Sequence, residues 1–345
     1  MTDMRKLLPM AAVLCLMAAG CAKESTWNTG QKAREYLTMY MDKYYPNVEP
    51  DENGLYILEE EEGDGKPWDP DSTHIYAEYT IRTLDGSISS STDVDIAQQL
   101  GTYESSNYYG PRFMAQGSGS SFVGVDMLLE GMKEGGRRKA VIPAWLLNTS
   151  RLSSLEAYIN ACTTESHLVY DITYHGQTGN IDHFEIDSLE RYVLNEFGVD
   201  REESTTFVEN GVEGTFYFFS DTTQFAGTRH FPADTTLKIR YTGYLLNGQA
   251  FDTTEERIAK DNNIFYVSGK SYQPVSVTMA SKYSNIKMGS STLISGFQGG
   301  LSMMHFLGQK ATFLFTSTLG YSGTGSGSAI PPYSPLMFEV EIVKE

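Results

Sequence analysis

Histidine and cysteine side chains supply most zinc and redox sites, and this chain of 345 residues has six histidines and three cysteines. The histidines are scattered, with no HxxxH or HExxH spacing, and no two cysteines form a CxxC pair. The sequence therefore predicts neither a zinc site nor a redox site. We expect no metal and no cofactor.

Acidic side chains outnumber basic ones, 44 to 26, which gives a formal net charge of −18. A surface of that sign repels phosphate backbones, so nucleic acid is excluded as the main ligand. The composition is 40% hydrophobic and 20% charged. At this length, such a composition is typical of a globular chain with two domains, each with its own core.

The N-terminus has the composition of an export signal. Arg5 and Lys6 precede the apolar run 7–20, which is shorter than the ~20 residues that a membrane-spanning helix needs. The run ends in Ala-Ala-Gly before Cys21, which resembles the bacterial lipobox, whose cysteine is acylated with chains such as palmitate. This resemblance implies lipidation of Cys21 and a lipid-anchored location in the cell envelope. Residues 22–24 lack the aspartate that signals inner-membrane retention, which favours the outer membrane. An ordinary cleaved signal with an incidental cysteine is the alternative.

Two parts of the chain repeat one pattern. Alternating strands are predicted at 74–83 and 237–246, followed by a DG turn at 85–86 and an NG turn at 247–248. The repeat is in register at the far end as well, where LVYDI at 168–172 corresponds to LMFEV at 336–340. The sequence therefore indicates an internal duplication.

Each unit has one short amphipathic helix between its strands, at 123–132 and at 295–304. One helix cannot cover both faces of a sheet. The fold class predicted is therefore α+β, with two domains that each consist of a curved antiparallel β-sheet wrapped around one short α-helix.

The second unit resembles the FKBP-type peptidyl-prolyl cis-trans isomerases over about residues 230–345. The resemblance rests on motifs in the family's order: YTG at 241–243, NG at 247–248, FD at 251–252, LISGF at 293–297, GY at 320–321, AIPP at 329–332 and LMFEV at 336–340. Seven short motifs in sequence along one domain are a specific signal, whereas each alone is weak.

Membership of that family implies rotation of X-Pro bonds in an apolar aromatic pocket, with no covalent step and no cofactor. The expected partners are proline-containing unfolded or extended polypeptides, with FK506-type macrolides as further ligands. We expect a monomer that assists the folding of envelope or exported proteins. One alternative is a non-catalytic FKBP-like binding or chaperone lipoprotein. Another is a surface adhesin that binds glycans.

The resemblance also implies which residues form the site: Tyr241, Phe251, Asp252, Leu293, Ile294, Phe297, Tyr321, Ile330 and Phe338. Tyr241, Phe251 and Phe338 would line the pocket. Phe297 would form its floor under the proline ring. Aromatic walls of this kind supply apolar area and ring-edge contacts.

The remaining residues of that set would surround the aromatic ones. Leu293 and Ile294 would close one side of the pocket. The Ile294 backbone N–H and the Tyr321 hydroxyl would donate hydrogen bonds to substrate carbonyls. Asp252 would lie at the rim and orient other groups without acting as a general base, and Ile330 would pack against the ligand.

The second unit departs from the family pattern in its wall and floor. Phe297 stands where many members have tryptophan. The family's PFxF strand is best matched by 274–277, so Val275 replaces an aromatic residue unless Phe265 takes its place. Residues 253–292 are longer than the family's segment, so the rim and the X-Pro preference stay open.

The first unit is a degenerate copy. Ser89 and Ser90 stand where phenylalanine and aspartate are expected, Val125 replaces the aromatic floor, and Asn148 falls near the tyrosine position. An Ile-Pro-Pro loop is absent from 150–166. We therefore predict a structural or substrate-holding domain, with a second isomerase as the alternative. The polar, tyrosine-containing stretch 102–120 either contacts clients or is surface decoration.

The predicted organisation has five parts: a lipoprotein signal peptide at 1–20, a tether at 21–34, a degenerate FKBP-like domain with an N-terminal helix at 35–176, a linker helix with a lead-in strand at 177–229, and an FKBP-type isomerase domain at 230–345.

Overall fold

The structure is a computed structural model that describes residues 27–199, 205–209, 212–265 and 270–343. The predicted signal peptide and the predicted lipidation site Cys21 lie outside the described residues. Within these ranges, each helix is too short or too polar to cross a membrane.

The first described sheet has six antiparallel strands: β1 (Tyr56–Glu61), β2 (His74–Thr83), β3 (Ile88–Ser91), β4 (Arg112–Ala115), β5 (Arg137–Ile142) and β6 (Leu168–Thr178). Their order is β1-β5-β6-β2-β3, with β4 paired to the other end of β2. The predicted bounds of β2, 74–83, match the structure to the residue. Its buried residues are Ile75, Ala77 and Thr80, so the alternation of a strand holds at the start of β2 and shifts before Thr80.

The second described sheet has seven antiparallel strands: β7 (Thr205–Glu209), β8 (Val212–Phe219), β9 (Thr236–Leu245), β10 (Ala250–Thr253), β11 (Val275–Thr278), β12 (Lys310–Phe315) and β13 (Leu336–Ile342). Their order is β10-β9-β13-β12-β8-β7, with β11 paired to β9. Strand β8 pairs with β12, so this sheet begins before residue 230 and contains a hairpin where the sequence predicted a single lead-in strand.

Seven α-helices are described: α1 (Thr29–Tyr44), α2 (Val94–Gln99), α3 (Val123–Leu129), α4 (Leu155–Ala161), α5 (Ile181–Phe197), α6 (Glu256–Asp261) and α7 (Ser295–Ser302). Helices α3 and α7 pack on the sheets at equivalent places. A Cβ on Gly124 would lie 2.3 Å from the Ile142 side chain, and a Cβ on Gly296 would lie 2.5 Å from the Phe315 ring. Glycine thus permits the same close approach of helix to strand in both domains.

The predicted fold class is confirmed: the described chain is α+β, with two domains that each have an antiparallel sheet and a short central helix. Each domain has its own core cluster. One forms around Leu128, Ile142 and Ile172, and the other around Phe297 and Phe313.

Helix α1 begins at Thr29, inside the segment that the sequence assigned to a tether. Asn28 accepts a hydrogen bond from the Gln31 backbone N–H, and the Gln31 side chain accepts one from the Asn28 N–H. This capping box starts the helix. Ala33 is 0% exposed, so this end of the helix belongs to the core of the first domain.

Helix α5 connects the two domains and packs on the second one. Leu189 and Val193 are buried against Tyr217 of β8 and Leu314 of β12. The buried face of α5 therefore covers the face of the second sheet that carries Tyr217 and Leu314. Phe313 and Phe315, the neighbours of Leu314 on β12, belong to the opposite face, which packs against α7.

Candidate active site

Four aromatic rings meet between α7 and strands β9, β10 and β13. The Phe297 ring centre lies 4.9 Å from that of Phe338 and 5.5 Å from that of Tyr241. The Phe251 ring stands nearly perpendicular to that of Phe338, at 5.6 Å. Phe297 and Phe338 are 3% and 5% exposed, whereas Tyr241 and Phe251 are half-buried. The rings therefore form an apolar floor and walls that are partly open to solvent.

Gly243 on β9 makes room for two of these rings. It pairs with Phe338 across the β9–β13 ladder. A Cβ at this position would lie 2.5 Å from the Phe251 ring and 2.8 Å from the Phe338 ring. The glycine of the YTG motif is thus required because the aromatic walls approach its backbone.

Asp252 on β10 is held by two partners at the rim of the aromatic cluster. The Tyr241 hydroxyl donates to it at 2.6 Å, and the Lys270 ammonium forms an ion pair with its other oxygen. Burial, together with the Asp252 charge, raises the pKa values of Tyr241 and Tyr321. Both phenols therefore stay protonated donors at neutral pH, and the carboxylate is fixed as an acceptor.

Leu293 and Ile294 lie at the start of α7 and pack, half-buried, against the second core. Ile294 is the N-cap residue, and its carbonyl accepts from the Gln298 N–H. The N–H groups at a helix start have no acceptor within the helix. The Ile294 N–H is thus suited to donate to a ligand beside the Phe297 ring.

Ile330 lies in the loop that follows Tyr321 and is 4% exposed. Ser326 and Ile330 exchange backbone hydrogen bonds of 2.8 and 3.1 Å. Gly325 has a φ of +67°, and a Cβ there would lie 2.3 Å from the Ile330 carbonyl oxygen. The turn is tight, and it holds Ile330 against the same core as the aromatic rings.

The structure distinguishes the two candidates for the missing aromatic wall. Val275 on β11 packs against the core that contains Phe297 and Phe338. Phe265 lies in a separate small cluster and stacks on Tyr272 at 5.1 Å. The strand that corresponds to the family's PFxF segment therefore presents an aliphatic residue to the core.

Two positioning residues were not found from the sequence. Lys270 pairs with Asp252 from the long segment after β10, where no local pattern marks it. Glu185 on α5 is 1% exposed and accepts from the Ser317 N–H at 2.7 Å and from the Ser317 hydroxyl at 2.6 Å. This carboxyl fixes the 3₁₀ turn just before Tyr321. The sequence does not indicate this buried role, because Glu185 lies among other polar residues of α5.

The first domain has the same ladder without the pocket. Ile81 pairs with Tyr170 and Ser90, as Gly243 pairs with Phe338 and Asp252 in the second domain. The register therefore places Ser89 and Ser90 at the positions of Phe251 and Asp252. The Val125 side chain is buried in the first core at the place of the floor residue.

The loop region of the first domain also differs. The Asn148 side chain accepts from the Ser150 N–H at 2.8 Å, and helix α4 occupies part of the segment where the second domain has the Ile330 loop. Tyr158 and Ile159 of α4 are buried in the first core. In the first domain, this segment thus contributes side chains to the core and does not form a loop like that of Ile330.

Comparisons with known proteins match the second domain to one family. The sequence pattern of FKBP-type peptidyl-prolyl cis-trans isomerases matches residues 227–343. An "FK506-binding protein" of Neisseria meningitidis serogroup A is 31% identical over 108 residues, which are 31% of this chain and 77% of that protein. A "Probable FKBP-type peptidyl-prolyl cis-trans isomerase" of Haemophilus influenzae is 32% identical over 108 residues. The match spans 31% of this chain and about a third (34%) of the Haemophilus protein.

Two solved structures are similar at low sequence identity. A peptidyl-prolyl cis-trans isomerase of Pseudomonas syringae pv. tomato is 19% identical, with a TM-score of 0.28, over 47% of this chain and 93% of that chain. The three FKBP domains of a wheat protein are 14% identical, with a TM-score of 0.23, over 85% of this chain and 94% of that chain.

The sequence match over residues 227–343 defines the class of protein to which the second domain belongs. The chain belongs to the family of FKBP-type peptidyl-prolyl cis-trans isomerases. The predictions of the family and of its isomerase class are thereby confirmed. The roles of the individual site residues stay predictions.

Proposed function

We propose that the second domain rotates X-Pro bonds in unfolded or extended polypeptides, and that the protein assists the folding of envelope or exported proteins. The observation that carries this proposal is the four-ring pocket of Tyr241, Phe251, Phe297 and Phe338, with ring centres 4.9–5.6 Å apart in its closest pairs. The cluster is apolar, and its half-buried rings of Tyr241 and Phe251 would offer a proline ring a surface to pack on. Its polar groups lie at the rim.

Rotation needs no covalent step. The barrier is about 18–20 kcal/mol because the amide must lose resonance. A twisted amide is less dipolar than a planar one, so a pocket that excludes water favours it over the ground state. The Ile294 N–H and the Tyr321 hydroxyl would hold the flanking carbonyls. The Tyr241–Asp252 hydrogen bond of 2.6 Å fixes the wall.

The envelope role is supported by the N-terminal sequence. The apolar run 7–20 ends just before Cys21, which we propose as the acylated residue and membrane anchor. Labelling of cells with radioactive palmitate tests this. The label should appear on the wild-type protein, and the Cys21→Ser variant should lose both the label and its sedimentation with membranes. An unlabelled wild-type protein would contradict the anchor.

The catalytic proposal is tested with the chain from residue 22 onward, which keeps both domains. The cis–trans exchange of a Leu-Pro peptide should accelerate with enzyme concentration, and an FK506-type macrolide should inhibit it. Binding of the peptide or the macrolide without acceleration would make the protein a non-catalytic binding module. The aliphatic Val275 wall favours this second candidate.

A further inference from the structure

A loop of the first domain lies against the loop of the second domain that carries Ile330. We define the tyrosine loop as residues 103–110, between α2 and β4. The Tyr108 backbone N–H donates to the Ser328 carbonyl at 2.8 Å. Ser328 lies two residues before Ile330, inside the tight turn closed by Ser326. The contact therefore reaches the loop whose Ile330 packs in the same core as the aromatic rings.

Two more hydrogen bonds join the tyrosine loop to the second domain. The Gln249 side-chain amide donates to the Asn107 carbonyl at 3.0 Å, and the Ser105 hydroxyl donates to the Asn263 carbonyl. Gln249 lies in the turn between β9 and β10, two residues before Phe251. The loop is thus bonded to segments on two sides of the pocket.

The Tyr108 side chain is fixed in this contact. Its ring packs against the core cluster of the second domain, to which Ile330 also belongs. Its hydroxyl donates to the Pro111 carbonyl at 2.8 Å, within its own domain. Burial raises the pKa of the phenol, so the hydroxyl remains a donor at neutral pH.

The first domain also holds the far end of the Ile330 loop. His74 Nε2 lies 3.1 Å from the Tyr333 hydroxyl, and the two rings meet edge to face at 4.9 Å. Tyr333 has a φ of +57°, a backbone conformation that non-glycine residues rarely adopt. Contacts from neighbours are what keeps such a residue in place.

We propose that the first domain positions the Ile330 loop of the second, through Tyr108 at Ser328 and through His74 at Tyr333, and so sets how tightly the site binds the residues that flank the proline. This inference rests on the proposed isomerase function. Tyr108 and His74 are positioning residues. The degenerate domain is then a specificity element that acts on its neighbour's site.

The expected effect on binding comes from the conformational entropy of the Ile330 loop. Residues 326–333 hold Ile330 against the core that contains the aromatic rings. A loop that is free to move must be ordered again each time a substrate binds. Hydrogen bonds from a second folded domain order it in advance. Loosening these bonds should therefore weaken substrate binding more than it slows rotation of the bound peptide.

The test uses the chain from residue 22 onward and measures kcat and KM for Leu-Pro and Phe-Pro peptides. Tyr108→Ala keeps the backbone N–H that bonds Ser328 but removes the ring that packs on the second core, and His74→Ala removes the hydrogen-bond partner of Tyr333. For each variant we expect KM to rise about fivefold, the effect of one lost interaction of about 1 kcal/mol, with kcat changed less than twofold. Amide hydrogen exchange at 326–333 should become faster. Gln249→Leu, which removes one donor and little volume, should raise KM in the same direction.

Tyr103→Ala is the matched control, since Tyr103 belongs to the same loop but is exposed and stacks on Tyr109. It should leave KM and hydrogen exchange unchanged. An active wild type whose KM is the same in Tyr108→Ala, His74→Ala and Gln249→Leu overturns the inference. So does a loss confined to kcat. An inactive wild type contradicts the proposed function instead.

Discussion

Equivalent strands of the two domains carry different side chains at one register position. In the first domain Ile81 faces Tyr170 across the β2–β6 ladder, and in the second Gly243 faces Phe338 across the β9–β13 ladder. The isoleucine fills the space beside its partner. The glycine leaves that space to the Phe251 ring. The residue at this one position, isoleucine or glycine, thus decides whether an aromatic ring can lie beside the strand.

The features that the domains share are those that hold the sheet together. Thr80 and Ser91 form a side-chain hydrogen bond of 2.8 Å, and Thr242 and Thr253 form the equivalent bond at the same length. Both domains therefore keep the hairpin, whereas the aromatic set is present in the second. The comparison shows that the strand ladder and its hydrogen bonds do not depend on the aromatic set.

The largest expected effect is on stability, and it comes from giving the second domain the isoleucine that the first domain has at the position of Gly243. Gly243→Ile should destabilise the second domain by about 3 kcal/mol, because the added side chain overlaps the Phe251 and Phe338 rings. Adding Phe251→Ser, the residue found at position 89, should restore most of that stability. Chemical denaturation of the two single variants and the double variant measures the coupling. Additive effects would show that the two positions do not share one space.

Acid should destabilise the first domain through the buried His167. His167 is 2% exposed, and its Nδ1 accepts from the Ala144 N–H. Burial lowers the pKa of His167 to about 4. The unfolded chain, with a histidine pKa near 6.5, binds the proton first, so stability present above pH ~6.5 is lost as the pH falls toward 4. At pH 5 we expect a loss of about 2 kcal/mol.

This prediction is checked by denaturation at pH 7.5 and at pH 5. His167→Gln keeps an acceptor for the Ala144 N–H and removes the titration. The variant should lose about 2 kcal/mol less than the wild type on acidification. Equal losses would show that His167 does not differ in protonation between the folded and unfolded states.

The smallest expected effect is a change in kcat/KM that separates Tyr241 of the second domain from Tyr79, the equivalent residue of the first. Tyr241→Phe removes the hydrogen bond to Asp252, and we expect kcat/KM to fall about fivefold, as for a lost interaction of about 1 kcal/mol. Tyr79→Phe, at the equivalent place in the first domain, should leave kcat/KM unchanged. A similar loss in both variants would mean that both domains act on substrate.

The sequence predicted what depends on local pattern. Strand β2 follows from its alternation, and the order of the aromatic motifs placed the rings of Phe297 and Phe338 in one cluster. The ion pair of Lys270 with Asp252 could not be predicted, because it joins the rim to an inserted segment with no periodicity. The contact of Tyr108 with Ser328 depends on how two domains meet, which no local pattern encodes. The start of α1 at Thr29 is marked in the sequence itself, since Asn28 and Gln31 have the spacing of a capping box.

The central claim is that the pocket of the second domain performs the isomerisation. Its most direct test replaces Phe251 and Asp252 with the serines that the first domain has at 89 and 90, in the chain from residue 22 onward. Peptide exchange should fall by at least about 30-fold, since burial of the proline against the ring is worth about 2 kcal/mol. Unchanged exchange in a folded variant would contradict the claim and place the activity elsewhere in the chain.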